Sequence, residues 1–194
     1  MSHHSRVILL EVVPLFVLAL FCLYFFRDPD RGIPSGPVAV SPADGKVVAV
    51  KTESPTVTRI SIFLNIFDVH VNRIPCDGTV ENIVYQPGRF VAANRPDATI
   101  SNEQNAVMIR AADGGKVLCV QVAGLIARRI VCWTAIGEKV ACGERFGLIR
   151  FGSRVDLFLP RGSSVSKAVG DRVKGGTDVV ARLPRGEEIC AERS

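Results

Sequence analysis

The chain has 194 residues, 47% hydrophobic and 22% charged, which leaves room for one domain and a short extra segment and excludes a disordered or collagen-like chain. Its formal charge is +5, and residues 1–26 contribute only Arg6 and Glu11, so the excess lies on the remainder. A basic surface suits an anionic membrane or nucleic acid, but the scattered aromatics beyond residue 26 offer no stacking platform, and no nucleic-acid partner is expected.

Residues 7–26 form a run of 20 that only Glu11 and Pro14 interrupt. About 20 apolar residues of helix cross a bilayer core, so the length permits a membrane helix. A cleaved leader fits less well, because no small-residue site follows Leu23-Tyr24-Phe25-Phe26 and the bulky Phe21 before Cys22 is wrong for a lipoprotein site. Glu11 and Pro14 leave a tilted or shallow anchor open beside a full span. Arg27 and Arg31 follow the run while only Arg6 precedes it. That bias places the expected anchor (1–26) in the cell membrane with the remainder on the cytoplasmic side. Cys22, Cys76, Cys119, Cys132, Cys142 and Cys190 are dispersed without a C-x-x-C pair, as expected of reduced thiols.

Residues 27–37 read as a turn-rich linker, leaving 38–194 as the folded domain. The predicted strands are 38–50, 57–64, 79–85, 106–110, 116–123, 129–134, 147–151, 154–159 and 178–183. Val155, Leu157 and Leu159 on one face, against Arg154, Asp156 and Phe158 on the other, show the two-residue period. No 3.6-residue period is present beyond the N-terminal run. The expected fold is all-β, β-dominated, plus one N-terminal hydrophobic membrane helix.

Two internal repeats run through the domain. Pro42-Ala43-Asp44-Gly45-Lys46-Val47 recurs as Pro75-Cys76-Asp77-Gly78-Thr79-Val80, and Asp-Gly before a β-branched run signals a hairpin turn. Gly137-Glu138-Lys139-Val140-Ala141-Cys142-Gly143 recurs as Gly170-Asp171-Arg172-Val173-Lys174-Gly175-Gly176. This G-[DE]-[KR]-V-x-x-G pattern resembles the turn of biotinyl/lipoyl-type barrel-sandwich domains, which makes a barrel-sandwich-like arrangement the expectation. No lysine stands in the exposed hairpin context that a biotin or lipoyl carrier needs. Residues 86–105 lack a strand pattern and read as a binding loop or lid.

Chemistry has few places to reside. His3 and His4 precede the apolar run, so His70 is the one imidazole available to the domain, and no metal site is expected. Proton transfer near neutral pH falls naturally to His70. Gly152-Ser153 lies between two strand-like runs, where glycine weakens a strand. Two readings stay open: a bulge, or a strained glycine whose carbonyl the Ser153 hydroxyl attacks, turning the amide into an ester.

Phe26-Arg27-Asp28-Pro29, Ser41-Pro42-Ala43-Asp44-Gly45, Phe63-Leu64-Asn65, Asp68-Val69-His70-Val71-Asn72-Arg73, Asn102-Glu103-Gln104-Asn105 and Arg150-Phe151-Gly152-Ser153-Arg154 occur in this order. The set, over about residues 26–183, resembles the short bacterial and archaeal-like branch of the phosphatidylserine decarboxylase family. The resemblance implies self-cleavage between Gly152 and Ser153 into a β chain (1–152) and an α chain (153–194), held together as a heterodimer. It also implies that Ser153 becomes a covalent pyruvoyl cofactor. Asp44 and Ser153 would act in the cleavage, with either His70 or strain and a different base completing it. Longer members carry D-x-H-x-x-H, whose second histidine belongs to that relay. Here His70 fills the first position and Arg73 the second.

By the same resemblance, phosphatidylserine in the membrane is the substrate, bound as a Schiff base. After loss of CO2, His70 is the expected acid that protonates carbon to give phosphatidylethanolamine. Arg73, Arg89, Arg128 and Arg129 are the candidate cations for the lipid phosphate. The alternative is a non-enzymatic, membrane-anchored barrel-sandwich adaptor, which would leave Gly152-Ser153 and the His70 segment without a purpose.

Overall fold

The computed structural model describes residues 3–88, 102–112, 114–124, 129–150 and 152–184. Helix α1 (His3–Phe25) contains Pro14. Leu15, Phe16, Val17 and Leu23 on it are each more than half exposed, so the stretch from Val12 to Leu23 turns no polar face to water. Among the described residues no helix is long and apolar enough to cross a membrane. The expected membrane helix therefore rests on composition rather than on the fold.

The described remainder is strand and turn. The strands are β1 (Val38–Val40), β2 (Gly45–Ser54), β3 (Val57–Leu64), β4 (Val71–Arg73), β5 (Gly78–Gln86), β6 (Gln104–Ala111) and β7 (Lys116–Val122). There follow β8 (Ile130–Cys132), β9 (Lys139–Val140), β10 (Arg145–Ile149), β11 (Ser153–Pro160), β12 (Ser164–Val165), β13 (Arg172–Val173) and β14 (Val179–Arg182). Eight of them form one sheet in the order β13-β2-β3-β11-β7-β6-β5-β9, beside the three-stranded sheets β1-β14-β12 and β4-β10-β8. The alternating stretches form as expected, whereas β4, β9, β12 and β13 are too short to carry a period. Most of the expected loop at 86–105 lies outside the described residues, but its ends are strand, with Gln86 opposite Gln104 and Tyr85 opposite Asn105.

The core gathers Ile60 and Ile62 of β3, Val155 and Leu157 of β11, Cys119 of β7 and Val107 of β6. Cys22, Cys76, Cys119, Cys132 and Cys142 are not joined in disulfides among the described residues. Cys190 lies outside the described residues. On β11 the period does not separate buried from open: Arg154 and Asp156, on the face opposite Val155, Leu157 and Leu159, are buried too. They satisfy each other through Nη2 and Oδ2 at 3.1 Å, as buried charge requires.

The repeats occupy matching places, and they are not hairpin turns. Gly45 opens β2 and Gly78 opens β5, where a Cβ would overlap the carbonyl oxygens of Phe63 and Arg110 respectively. The β2–β3 hairpin turns instead at residues 55–56. Strand β13 closes one edge of the large sheet on β2, and β9 closes the other on β5. Gly170 N–H donates to Val47 O and Gly137 N–H to Val80 O, both at 2.8 Å. Asp44 Oδ1 accepts from Gly175 N–H at 2.7 Å. Asp77 Oδ1 accepts from Cys142 N–H at 2.8 Å.

Candidate active site

Strand β10 runs in the β4 sheet and β11 in the large one, so Gly152 sits in the step between two sheets rather than in a bulged strand. Its φ is +63° with nothing within 4 Å of a built Cβ. The need for glycine is therefore conformational, not steric. Ser153 follows as the first residue of β11, opposite Leu64 of β3. It is fully buried, and among the described residues its Oγ has no hydrogen-bond partner. A buried hydroxyl left so costs about 1–3 kcal/mol, and such groups gather where chemistry is done.

His70 stands just before β4, and its carbonyl accepts from Ile149 N–H at 3.4 Å, shortly ahead of Gly152. The ring is buried. Nδ1 lies 2.9 Å from Asp68 O, so Nδ1 carries the proton and Nε2 the lone pair. Nε2 is buried without a partner among the described residues. Burial pushes the imidazole below its ordinary pKa, helped by the Arg27 charge and opposed by the Asp68 carbonyl and the Asp68 and Asp44 charges. The Phe25 ring, at the end of α1, covers it with centroids 4.2 Å apart. Tyr24 Oη and Arg27 Nη2 donate to Phe67 O at 3.2 and 2.7 Å, tying the end of α1 to the same loop.

The other expected residues are placed differently. Asp44 is not hydrogen-bonded to His70; Arg31 Nη2 donates to both its oxygens at 3.0 and 2.8 Å, and Gly175 N–H holds Oδ1. Arg73 is buried and donates to Gly143 O at 3.0 Å, Asp28 Oδ1 at 2.7 Å and Pro29 O at 3.2 Å. Arg145 pairs with the same Asp28. Arg73 thus straps the linker to the domain, with these donors spent on fixed acceptors. Arg129 is exposed next to β8, whose Ile130 faces Ile149. Arg89 and Arg128 lie outside the described residues.

Further contributors join the site, Asn72 and Asn105 from within the motifs and Gln121 from outside them. Asn105 Nδ2 donates to Gln121 Oε1 at 2.9 Å, and Gln121 Nε2 donates to Asn72 Oδ1 at 2.8 Å. All three amides are buried. The one usable signal was polar amides inside otherwise apolar strand patterns, at Gln121 and Asn72. Phe25, read as part of an apolar run, gave no sign that it would seat on the imidazole.

The sequence matches the family model described as phosphatidylserine decarboxylase over residues 18–181. It is 55% identical over 173 residues to a protein of Solibacter usitatus named phosphatidylserine decarboxylase proenzyme, covering 89% of this chain and 84% of that one. Proteins of the same name from Cupriavidus taiwanensis and Nitrosomonas europaea are each 50% identical, over 88% and 90% of this chain and 82% and 83% of theirs. With a serine poised behind a left-handed glycine in the region so matched, this chain belongs to the phosphatidylserine decarboxylase family.

Proposed function

We propose that this chain is a proenzyme that cuts itself between Gly152 and Ser153 and then decarboxylates phosphatidylserine to phosphatidylethanolamine. The observation that carries the reading is the buried Ser153 Oγ, without a partner among the described residues, directly after a glycine at φ +63°. The relatives bear an enzyme's name, and a non-enzymatic adaptor has no support among them.

The neutral Nε2 of His70 takes the Oγ proton as Ser153 attacks the Gly152 carbonyl, because its lone pair can only accept. Asp44 acts on His70 as a charge at a distance and as the holder of Arg31. Ser153 is fully buried, and a pyruvoyl group formed from it would be held at the start of β11. That group supplies a ketone for condensation with a primary amine and a sink for the electron pair released with CO2. His70, protonated in turnover, returns its proton to carbon. Arg129, exposed beside the strand leading to Ser153, is the described cation suited to the lipid phosphate, with Arg89 and Arg128 as further candidates.

The apolar, exposed stretch of α1 lies at the bilayer surface, on its cytoplasmic face, and Tyr24 and Arg27 join it to the His70 loop. The decisive experiment is a denaturing gel with intact mass, beside an assay of phosphatidylethanolamine formation. Two pieces, the smaller being 153–194 with a blocked, carbonyl-reactive N-terminus, and an uncut inactive Ser153→Ala support the proposal. One uncut, inactive wild-type chain overturns it.

A further inference from the structure

Among the buried polar atoms without a partner in the described residues are His70 Nε2, Ser153 Oγ and Asn72 Nδ2. The first two are accounted for by the attack of serine on the Gly152 carbonyl. The third is not, and leaving an amide donor buried and unmade is costly.

Register brings the three together. Val155 faces Gln121 across β11 and β7, and Asn105 faces Gln121 across β6 and β7. Directly opposed residues point to the same side of a sheet, and so do residues two apart. Ser153, Val155, Gln121 and Asn105 therefore share the inner face, with Ser153 diagonal to Gln121. The Gln121 amide reaches from that face to Asn72 on β4, as its bond to Oδ1 shows. Asn72 and His70 are two apart, so they leave their segment on one side. Gly147 of β10, paired with Asn72, admits the bridge, since a Cβ there would stand 2.7 Å from Gln121 Nε2. The chain of amides also sets direction. Asn105 gives to Gln121 and Gln121 gives to Asn72, which fixes Asn72 Oδ1 as acceptor and turns its NH2 group inward as a donor.

When Ser153 attacks, Oγ bonds to the Gly152 carbonyl carbon and its proton passes to His70 Nε2. The carbonyl π pair moves onto oxygen, and the C–N bond then breaks as the Ser153 nitrogen takes a proton, leaving an ester. Negative charge rests on the Gly152 oxygen in between. Resting on the self-cleavage reading above, we infer that the Asn72 side-chain NH2 group is the hydrogen-bond donor that stabilises this oxygen, oriented by Gln121 and Asn105. One preorganised donor at such an oxygen is worth about 10²–10³-fold in rate.

The test follows freshly translated full-length precursor by gel at pH 8, with and without hydroxylamine, which cuts the ester but not the amide. Wild type should convert, with hydroxylamine diverting the ester. Asn72→Leu should convert about 10²–10³-fold more slowly and, like Ser153→Ala, give hydroxylamine no ester to cut. Asn72→Asp keeps the acceptor for Gln121 and puts a carboxylate where the donor was, so it should be slowed at least as much, and it decides if the leucine variant fails to fold. Gln121→Leu, which frees the Asn72 amide to turn, should fall between. A wild-type rate in Asn72→Asp, or build-up of a hydroxylamine-sensitive ester in either Asn72 variant, overturns the inference while leaving self-cleavage standing. A wild-type chain that never cuts overturns both.

Discussion

Burial keeps the His70 imidazole neutral near pH 7 with its lone pair facing inward, and this has two measurable outcomes. Precursor cleavage should hold its rate from pH 8 to about 6.5 and drop about tenfold per pH unit once below the lowered pKa. His70→Ala should accumulate uncut, because the proposed base is gone. Stability follows the same group. The unfolded chain takes up a proton near pH 6.5 while the folded one resists, so stability is full above that value and is lost as pH falls from it toward the lower folded pKa. Melting curves of wild type and His70→Gln between pH 5 and 7 should show the steeper slope in wild type. Arg73 gives a third outcome. Restoring histidine with Arg73→His breaks the strap to Asp28 and should cost about 2–4 kcal/mol in denaturant titration without speeding cleavage. Arg73 was legible as a departure from D-x-H-x-x-H, but its task was not, since Asp28 lies 45 positions away.

The paired edge closures explain what Asp44 does first. It and Asp77 each anchor the opposite G-[DE]-[KR]-V-x-x-G turn through a backbone N–H, so either Asp→Ala should lower the melting temperature, at about 1 kcal/mol for the lost bond. Asp44→Asn can keep that bond, and its precursor should still cut, because Asp44 reaches His70 only as a charge that raises its pKa. A complete block would show Asp44 acting directly in the proton path. The repeats themselves were legible, yet Asp-Gly looks alike at a turn and at a crowded strand entry; only the Phe63 and Arg110 carbonyls distinguish them. Strands with a clean period were legible too, whereas β4, three residues long, is held by pairing with β10 and carries no local signal. The end of α1 adds a contact of its own kind. Phe25→Ala should let water reach His70 and raise its pKa toward 6.5, seen by NMR titration of the ring.

Across the molecule, an apolar helix and a basic domain offer two modes of attachment to lipid, and they respond differently to salt. Flotation with anionic vesicles should survive 0.5 M NaCl if α1 dominates, and should be lost on deleting residues 3–20. The proposed cut would have a consequence for assembly. Strand β11 lies between β3 and β7, β13 borders β2, and β14 lies between β1 and β12. Strands β11, β13 and β14, all after Ser153, pair with strands from before it, and β12 pairs with β14. Severing the chain there frees no piece, but it erases the tether that brought those strands into register, and the short fragment, once displaced, must find its slots as a separate solute. Maturation would therefore act as a ratchet. Diluted from denaturant, Ser153→Ala should regain its melting transition as one connected chain, whereas the processed enzyme should not, its persistence resting on how slowly it comes apart.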